Sequence, residues 1–293
     1  MTSRVLLIGA SSMLGNQFRY ASLYRDDLIC QFNRPDPNGL NFSVTDPDEF
    51  FRSLSNIKPE IILNFAAATD VDWCESHEDE AFVANASIPQ NIQKWIDDNS
   101  AQTFVIHVST DQVYDGQDSE ASGENDTAPV NAYGRSKLAG ERALNIKNTC
   151  VLRTNFVGKS PTSKKSMTDW IIDKTDSGEG ITGFSDVYFS PITISTLVSM
   201  IDRCIDQRPP GVMNLGSDRG ISKDHFIREF LARTNRNTGA VSSDSIDSCA
   251  GLARRPKNMI MDSHRFYSSL GIDPIDLDRE IEYAAEEYQH ETL

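Results

Sequence analysis

The chain has 293 residues, of which 39% are hydrophobic and 24% charged, an ordinary globular composition that can bury a sizeable core. Its formal net charge of −15 argues against a nucleic-acid partner and against adsorption to an anionic membrane, since both require a basic face. Five dispersed cysteines favour a reducing compartment over a disulfide framework, and no residue spacing indicates a metal site. With neither a leader sequence nor a long apolar run, the chain is expected to be cytoplasmic.

The first half of the chain alternates strand and helix signals. Short apolar runs predict strands at 5–8, 28–32, 60–65, 103–108 and 149–153. One intervening helix is expected to begin at Asp46 as N-cap with Pro47 in its first turn, and another covers 78–98 with an interruption at Pro89. Strands separated by helices imply a parallel sheet of right-handed βαβ units, which binds ligands at the carboxyl ends of its strands.

The second half changes character. Helices are predicted at 193–206, 222–234 and 275–290, and a strand at 211–216 is expected to return to the sheet. A polar, basic stretch at 159–165 predicts a surface loop. The acidic loop 115–131 is compatible both with a lid over a ligand and with a solvated connector.

The first predicted strand runs into a turn that bears two glycines. In a dinucleotide-binding turn, glycines let the backbone approach the ligand's diphosphate at a helix N-terminus. Ser12 stands where that pattern has a glycine, so the match is partial, although a hydroxyl can itself bind phosphate. The residues expected to bind the cofactor here are Gly9, Ser11, Ser12, Met13, Leu14 and Gly15. A plain strand–helix turn is the alternative.

The end of the second predicted strand bears on the choice of cofactor. An acidic residue there would bind the ribose hydroxyls of NAD, but the sequence has Asn33 and Arg34 instead. An arginine suits a 2′-phosphate, so NADPH is favoured and NADH stays an option. The alternative is that Arg34 is a solvated loop charge.

Tyr133 and Lys137 stand four residues apart and therefore share one face of a predicted helix. A lysine ammonium one turn from a phenol favours the phenolate and lowers the phenol pKa, which makes the tyrosine a proton donor near neutral pH. Thr110 follows a predicted strand and can hold the reacting oxygen against it. These side chains predict hydride transfer between a nicotinamide and a carbonyl; an exposed tyrosine–lysine pair is the alternative.

Several ordered segments resemble the extended short-chain dehydrogenase/reductases and, among them, the dTDP-4-dehydrorhamnose reductase family. They cover nearly the whole chain: 9–15, 64–75, 109–116, 133–141, 152–154 and 255–262. The resemblance implies an α/β fold with a Rossmann-type doubly wound parallel sheet and a smaller C-terminal substrate lobe. The NADP-binding domain would comprise 1–154 plus about 187–218, and the substrate lobe about 155–186 plus 219–293.

The resemblance also implies an activity, the NADPH-dependent reduction of the 4-keto group of a nucleotide-activated deoxysugar for polysaccharide or glycan synthesis. By position, Tyr133 is the general acid, Lys137 tunes it and holds the nicotinamide ribose, and Thr110 positions the carbonyl. Ala66 and Ala67 would line the cofactor. The residues expected at the substrate are Thr69, Asp111, Gln112, Asn155, Phe156 and Arg255. Arginine forks suit phosphate oxygens, so Arg255 is a candidate for the diphosphate, with a surface loop as the alternative.

Some residues depart from the family pattern. Ala68 replaces a larger ring, and Asn155-Phe156 replaces a serine and tryptophan that face the sugar, so the sugar's identity is open. Gln112 stands where the related dehydratases have a glutamate, and an amide cannot shuttle a proton, so elimination of water is disfavoured. Asp72 and Glu75 are expected to be structural, for example as helix caps.

The expected partner is a nucleotide-diphosphate sugar, with no nucleic acid and no membrane, and a homodimer is one option for the oligomeric state. Two alternatives to a reductase stay open. One is a non-catalytic NADP-binding regulatory subunit that docks on another enzyme. The other is a sugar-nucleotide epimerase, which the missing acid after the second strand disfavours.

Overall fold

The computed structural model describes residues 4–99, 101–117, 120–249 and 251–289. The strands of these residues are, in chain order, β1 (Val5–Ile8), β2 (Leu28–Phe32), β3 (Leu40–Asn41), β4 (Ile61–Asn64), β5 (Phe104–Thr110), β6 (Thr149–Thr154), β7 (Phe156–Val157), β8 (Ile181–Phe184), β9 (Tyr188–Phe189), β10 (Ile192–Thr193), β11 (Gly211–Leu215), β12 (Ile221–Ser222), β13 (Val241–Asp244) and β14 (Asn258–Met259). The α-helices are α1 (Met13–Ala21), α2 (Pro47–Ile57), α3 (Val71–Ser76), α4 (Glu78–Phe82), α5 (Ile88–Asn99), α6 (Ala132–Arg142), α7 (Met167–Asp176), α8 (Ile194–Gln207), α9 (Lys223–Arg233), α10 (His264–Leu270) and α11 (Leu277–Glu286).

Seven strands form one parallel sheet in the order β11-β6-β5-β4-β1-β2-β3. From β1, strands β2 and β3 follow toward one edge of the sheet. Strand β4 then lies on the other side of β1, and β5, β6 and β11 follow toward the opposite edge. The strand order therefore reverses between β1 and β4, which creates a switch point there. The predicted strands of the first half and the returning strand are all present, with ends shifted by up to two residues. Because β5 extends to Thr110, this residue is the last of its strand.

Helices cover both faces of the sheet, as a doubly wound fold requires. On one face, Val5 and Leu7 of β1 pack in a cluster with Phe18 of α1 and Leu197 of α8. The alternate residues of the same strand point to the other face, in a cluster with α2 and α5. The predicted fold class is therefore confirmed, and Asp46 caps α2 with Pro47 in its first turn, as expected.

The smaller lobe has its own core, in which Phe226 meets Phe189 edge to face and stacks on Phe230. The predicted division of the chain stays a prediction. Strand β9, within the range predicted for the Rossmann domain, pairs with β12 and β14 in a three-stranded sheet. Helix α10, within the range predicted for the substrate lobe, buries its apolar side chains against the large sheet.

The predicted helix 78–98 is irregular at a different place from the one expected. A π-helical turn at Val83–Ser87 separates α4 from α5, and the helix then continues through Pro89 to Asn99. Proline has no N–H to donate to the carbonyl four residues earlier, and the wider turn before it accommodates its ring. The expected interruption at Pro89 was therefore wrong, and the irregular turn instead sets the position of Asn85.

The described residues of the loop 115–131 are tied to their surroundings. Arg153 Nη1 donates to the Glu124 carbonyl oxygen at 2.7 Å, and Asn214 Nδ2 donates to that of Ser122 at 2.9 Å. These bonds favour the connector over the lid. The last predicted helix ends at Glu286, and its predicted end, His290, lies outside the described residues. None of the helices in the described ranges is long and apolar enough to cross a bilayer.

Candidate active site

A cleft of about 570 Å³ opens at the carboxyl ends of the central strands and is bounded by residues of both lobes. The sequence-predicted residues that line it are Ser12, Met13, Leu14, Ala67, Thr69, Thr110, Asp111, Gln112, Tyr133, Lys137, Asn155 and Phe156. Those outside the lining are Gly9, Ser11, Gly15, Asn33, Arg34, Ala66 and Arg255. The cleft thus joins most of the predicted cofactor and substrate residues to all three proposed catalytic side chains.

The three catalytic candidates converge on the floor of this cleft. The Thr110 side chain acts on the Tyr133 phenol and lowers its pKa. Thr110 Oγ1 also donates to Asp111 Oδ1 at 3.2 Å and accepts from the Gln112 amide at 3.2 Å. Thr110, Tyr133 and Lys137 are all buried and all line the cleft, so bulk water has little access to them.

Helix α6 is anchored at its start, which fixes where Tyr133 lies. The Asn131 side chain caps the helix by accepting from the Gly134 amide at 2.8 Å, and Glu75 accepts from the Ala132 amide at 2.7 Å. Gly134 allows a close approach, because a Cβ there would lie 2.2 Å from the Gln112 carbonyl oxygen. Glu75 therefore caps a helix, as expected, but the capped helix is α6 and not the helix that follows Glu75 in the chain.

The electrostatics of Tyr133 differ from the sequence-based expectation. Burial raises the pKa of its phenol above the ordinary value, and the negative charge of Asp111 adds to this effect. The hydrogen bond with Thr110 lowers the pKa but does not outweigh burial. The expected lowering by Lys137 was therefore wrong for this structure, because desolvation disfavours the phenolate more strongly than the polar contacts favour it. The phenol is therefore protonated at neutral pH, as a proton donor must be, but the raised pKa makes it a weaker acid.

Lys137 lies beneath the cleft with its ammonium held by the sheet. Its Nζ donates to the Val108 carbonyl oxygen at 2.7 Å, and the side chain is 2% exposed. Burial lowers the pKa of Lys137 to about 8, while the nearby carboxylate of Glu141 opposes this shift. The lysine is therefore mostly charged at neutral pH, and two of its three N–H donors have no partner among the described residues.

The cofactor side of the cleft is shaped by close backbone contacts. Gly9 has a φ of +82°, and a Cβ on it would lie 2.7 Å from the Ala66 amide nitrogen. Gly15 likewise admits no side chain, because its Cβ would meet the Gly9 carbonyl oxygen at 2.3 Å. Gly9, Gly15 and Ala66 therefore allow the tight backbone packing of the turn, but they do not line the cleft.

The N-terminus of α1 is open to an anion. Ser12 caps the helix by accepting from the Gly15 amide at 3.0 Å, and the first turn contains no acidic side chain. The partial positive charge of a helix start and its free amides suit a phosphate group. The described residues here fit a dinucleotide, with Ser12 filling the capping position of the turn.

The residues expected to select NADPH lie apart from the cleft. Asn33 and Arg34 are exposed just beyond β2, and Asn33 Oδ1 accepts from Gln31 Nε2 at 3.0 Å. Their predicted contact with a 2′-phosphate stays a prediction.

On the substrate side, Asp111 and Asn155 form a pair. Asn155 Nδ2 donates to Asp111 Oδ2 at 2.6 Å, and burial raises the pKa of the Asp111 carboxyl. Gln112 is engaged on both sides of its amide, since it accepts from Asn131 at 3.0 Å and donates to Met259 Sδ at 3.0 Å. These bonds give Gln112 a structural role in holding the start of α6, in addition to its place in the cleft wall.

Arg255 lies away from the other predicted substrate residues. Its Nη2 donates to Asp72 Oδ2 at 2.7 Å, which lowers the pKa of that carboxyl, and it borders a second cavity of about 860 Å³ together with Arg254 and Lys257. Asp72 was expected to be structural, and this ion pair agrees with that role. The predicted grip of Arg255 on a diphosphate would require it to act from this second cavity.

Sequence reasoning missed several residues of the site. Asn85, in the π-helical turn, donates to Ser136 Oγ at 3.0 Å and accepts from the Ala68 amide at 2.9 Å, so it ties α6 to the segment after β4. Thr154 lines the cleft with a buried hydroxyl that has no partner among the described residues. Lys164, Lys165 and Met167 reach the cleft from the small lobe. A basic loop was visible in the sequence, but its position over the cleft was not.

Comparisons with known proteins agree with this geometry. A family model described as RmlD substrate binding domain matches residues 3–290. The dTDP-4-dehydrorhamnose reductase of Aggregatibacter actinomycetemcomitans is 28% identical over 94% of this chain and 96% of its own length. The probable low-salt glycan biosynthesis reductase Agl14 of Haloferax volcanii is 26% identical over 78% of this chain and 77% of its own.

A solved structure shows the same similarity in three dimensions. The crystal structure of dTDP-4-dehydrorhamnose reductase from Bacillus anthracis in complex with NADP superposes with a TM-score of 0.83 at 25% identity, covering 98% of this chain and 99% of that one. Together with the family match over residues 3–290, this confirms the resemblance inferred from the motifs. The chain belongs to the RmlD substrate binding domain family, within the extended short-chain dehydrogenase/reductases.

Proposed function

We propose that the protein is an NADPH-dependent reductase of the 4-keto group of a nucleotide-activated deoxysugar, serving polysaccharide or glycan synthesis. The observation that carries this proposal is the convergence of Tyr133, Lys137 and Thr110 in one cleft with the open N-terminus of α1. An oxidoreductase of this class needs a proton donor and a dinucleotide site within reach of one carbonyl. The family match and the reductase relatives support the same activity.

Thr110, Tyr133 and Lys137 have different roles at the reacting carbonyl. When bound, NADPH supplies the hydride that reduces the keto carbon. Thr110 positions the carbonyl oxygen by a hydrogen bond, and Tyr133 donates its proton to that oxygen as negative charge develops. The Lys137 ammonium, one helical turn from Tyr133 on α6, is proposed to stabilise the phenolate that is left, since a nearby opposite charge favours the ionised form. Lys137 also has donors for the hydroxyls of the nicotinamide ribose.

The raised pKa of Tyr133 keeps the phenol protonated at neutral pH before the reaction. It also makes the phenol a weaker acid, so proton transfer depends on the negative charge that develops on the substrate oxygen. The hydrogen bond from Asn85 to Ser136 and the cap from Glu75 hold α6 in place while this happens. Preorganised groups of this kind lower the barrier because they need not reorient during the reaction.

The substrate would enter from the small-lobe side of the cleft. Asn155 and Phe156 form the wall on which the sugar would lie, and the Asp111–Asn155 pair presents polar atoms to its hydroxyls. Arg255 in the second cavity is proposed to face the nucleotide end. This wall sets which sugar and which base are bound, and assays with a panel of substrates would identify both.

The test is an assay of NADPH consumption with a panel of nucleotide-linked 4-keto sugars, followed through the absorbance of the reduced nicotinamide. Turnover with at least one member, lost in Tyr133→Phe, supports the reductase. Tight NADP⁺ binding without consumption by any substrate would favour the non-catalytic regulatory subunit. Interconversion of two sugar epimers without net consumption of NADPH would favour the epimerase.

A further inference from the structure

Lys164 spans the mouth of the cleft. It belongs to the loop 158–166 between β7 and α7, in the small lobe, and its Nζ donates to Thr69 Oγ1 at 2.9 Å. Thr69 follows β4 of the large sheet, so this single bond joins the two lobes. Both residues line the cleft that holds Tyr133.

The ammonium of Lys164 lacks an anionic partner. No carboxylate of the described residues lies within 4.0 Å of it, in a protein whose net charge is −15. The neighbouring Lys165 is paired with Asp173, and Lys174 of α7 is paired with Glu179. Among the described residues, the Lys164 ammonium therefore hydrogen-bonds only to a neutral hydroxyl, although the chain is rich in acidic side chains.

A neutral hydroxyl binds an ammonium more weakly than an anionic oxygen does. Hydrogen bonds between an ammonium and an ionised oxygen are shorter and about twice as strong as those to a neutral acceptor. An exposed lysine can change partner at little cost, because its long side chain is flexible and the bond to Thr69 is open to water. A ligand with an anionic group at the cleft mouth would therefore draw Lys164 away from Thr69.

We propose that Lys164 leaves Thr69 and binds the diphosphate of the nucleotide sugar at the mouth of the cleft. This inference rests on the proposed function for the identity of the ligand. The diphosphate of the cofactor is expected at the start of α1, whereas Lys164 reaches the cleft from the small lobe beside the residues assigned to the substrate. Lys164 is thus a substrate-binding residue, and it takes no part in proton transfer.

The kinetic test compares Lys164→Met with wild type in the NADPH assay. We expect KM for the nucleotide sugar to rise about tenfold, the size of one charge-assisted hydrogen bond at a hydrated site, while kcat changes by less than about twofold. Lys164→Arg keeps the charge and is expected to recover most of the affinity. Lys174→Met, which removes a lysine of the same lobe outside the cleft, is the matched control and leaves KM unchanged.

A binding test separates this inference from the proposed function. Calorimetric titration of each variant with dTDP and, separately, with NADP⁺ needs no turnover, so it remains decisive even if none of the keto sugars consumes NADPH. Weaker dTDP binding in Lys164→Met with unchanged NADP⁺ binding supports the inference. Unchanged dTDP binding overturns it, and a loss confined to NADP⁺ overturns it by assigning the ammonium to the cofactor.

Discussion

The tight packing of Gly134 beside Tyr133 gives a specific mutational prediction. Gly134 lies in the first turn of α6, directly after Tyr133, and a Cβ at this position would be 2.2 Å from the Gln112 carbonyl oxygen. That oxygen belongs to the backbone that follows Thr110, so it cannot rotate away as a flexible side chain could. Gly134→Ala therefore forces α6 and the end of β5 apart.

The size of the effect follows from this distance. Cβ atoms do not approach other heavy atoms closer than about 3.0 Å, so the backbone must separate by at least about 0.8 Å. The movement pulls Tyr133 from Thr110 and Lys137 from the Val108 carbonyl oxygen. A displacement of about 1 Å can cost about 10²-fold in rate, and overpacking costs about 1–3 kcal/mol of stability.

The assay measures kcat and KM with NADPH and the best substrate of the panel, together with the thermal unfolding of both proteins. We expect kcat to fall about 10²-fold while the variant stays folded. Gly180→Ala is the matched control, since its Cβ would make only an ordinary contact at 3.7 Å, and its kcat is expected to equal that of wild type. If Gly134→Ala retains kcat within threefold of wild type, the close packing does not position the catalytic groups.

Three further predictions concern the acid, the lysine and the surface charge. Tyr133→Phe is expected to lower kcat by about 10²–10⁴-fold with about 1 kcal/mol or less of lost stability, and a kcat within tenfold of wild type would exclude Tyr133 as the acid. A plot of kcat/KM against pH is expected to fall above about 8, because the Lys137 ammonium is the active form and burial lowers its pKa to about 8. Lys137→Arg should abolish this fall, whereas Lys223→Met should retain it, although burial also lowers the pKa of Lys223 to about 8. Raising NaCl to about 1 M should increase the melting temperature, because salt screens the repulsion within a chain of net charge −15, and a constant or lower value would contradict this.

The parts of the fold that the sequence predicts are those with strong local signals. The apolar runs of β1, β4 and β5 and the cap at Asp46 depend on adjacent residues, so they can be recognised without the tertiary structure. The position of the cleft was predictable for a related reason, since the ends of parallel strands meet at one edge of a sheet. Four of the strands that the sequence did not predict, β7, β9, β12 and β14, have only two residues each, too few for a recognisable pattern.

The properties that sequence reasoning missed depend on contacts between distant segments. The spacing of Tyr133 and Lys137 places them on one helix face, but it cannot show how deeply the phenol is buried, and burial decides the direction of its pKa shift. Asn85 and Ser136 are 51 residues apart and meet only because the π-helical turn packs on α6. The bond between Lys164 and Thr69 likewise forms only when the small lobe lies across the large sheet.

The central claim is that this cleft transfers a hydride from NADPH to the 4-keto carbon while Tyr133 protonates the oxygen. The most direct measurement uses NADPH carrying deuterium at nicotinamide C4, with the sugar product analysed by mass spectrometry and NMR. We predict one deuterium on sugar C4 when the label is on the transferred face, and none on that carbon when ordinary NADPH is used in D₂O. A product whose C4 hydrogen comes from solvent, or the absence of labelled product from every substrate, would contradict the account.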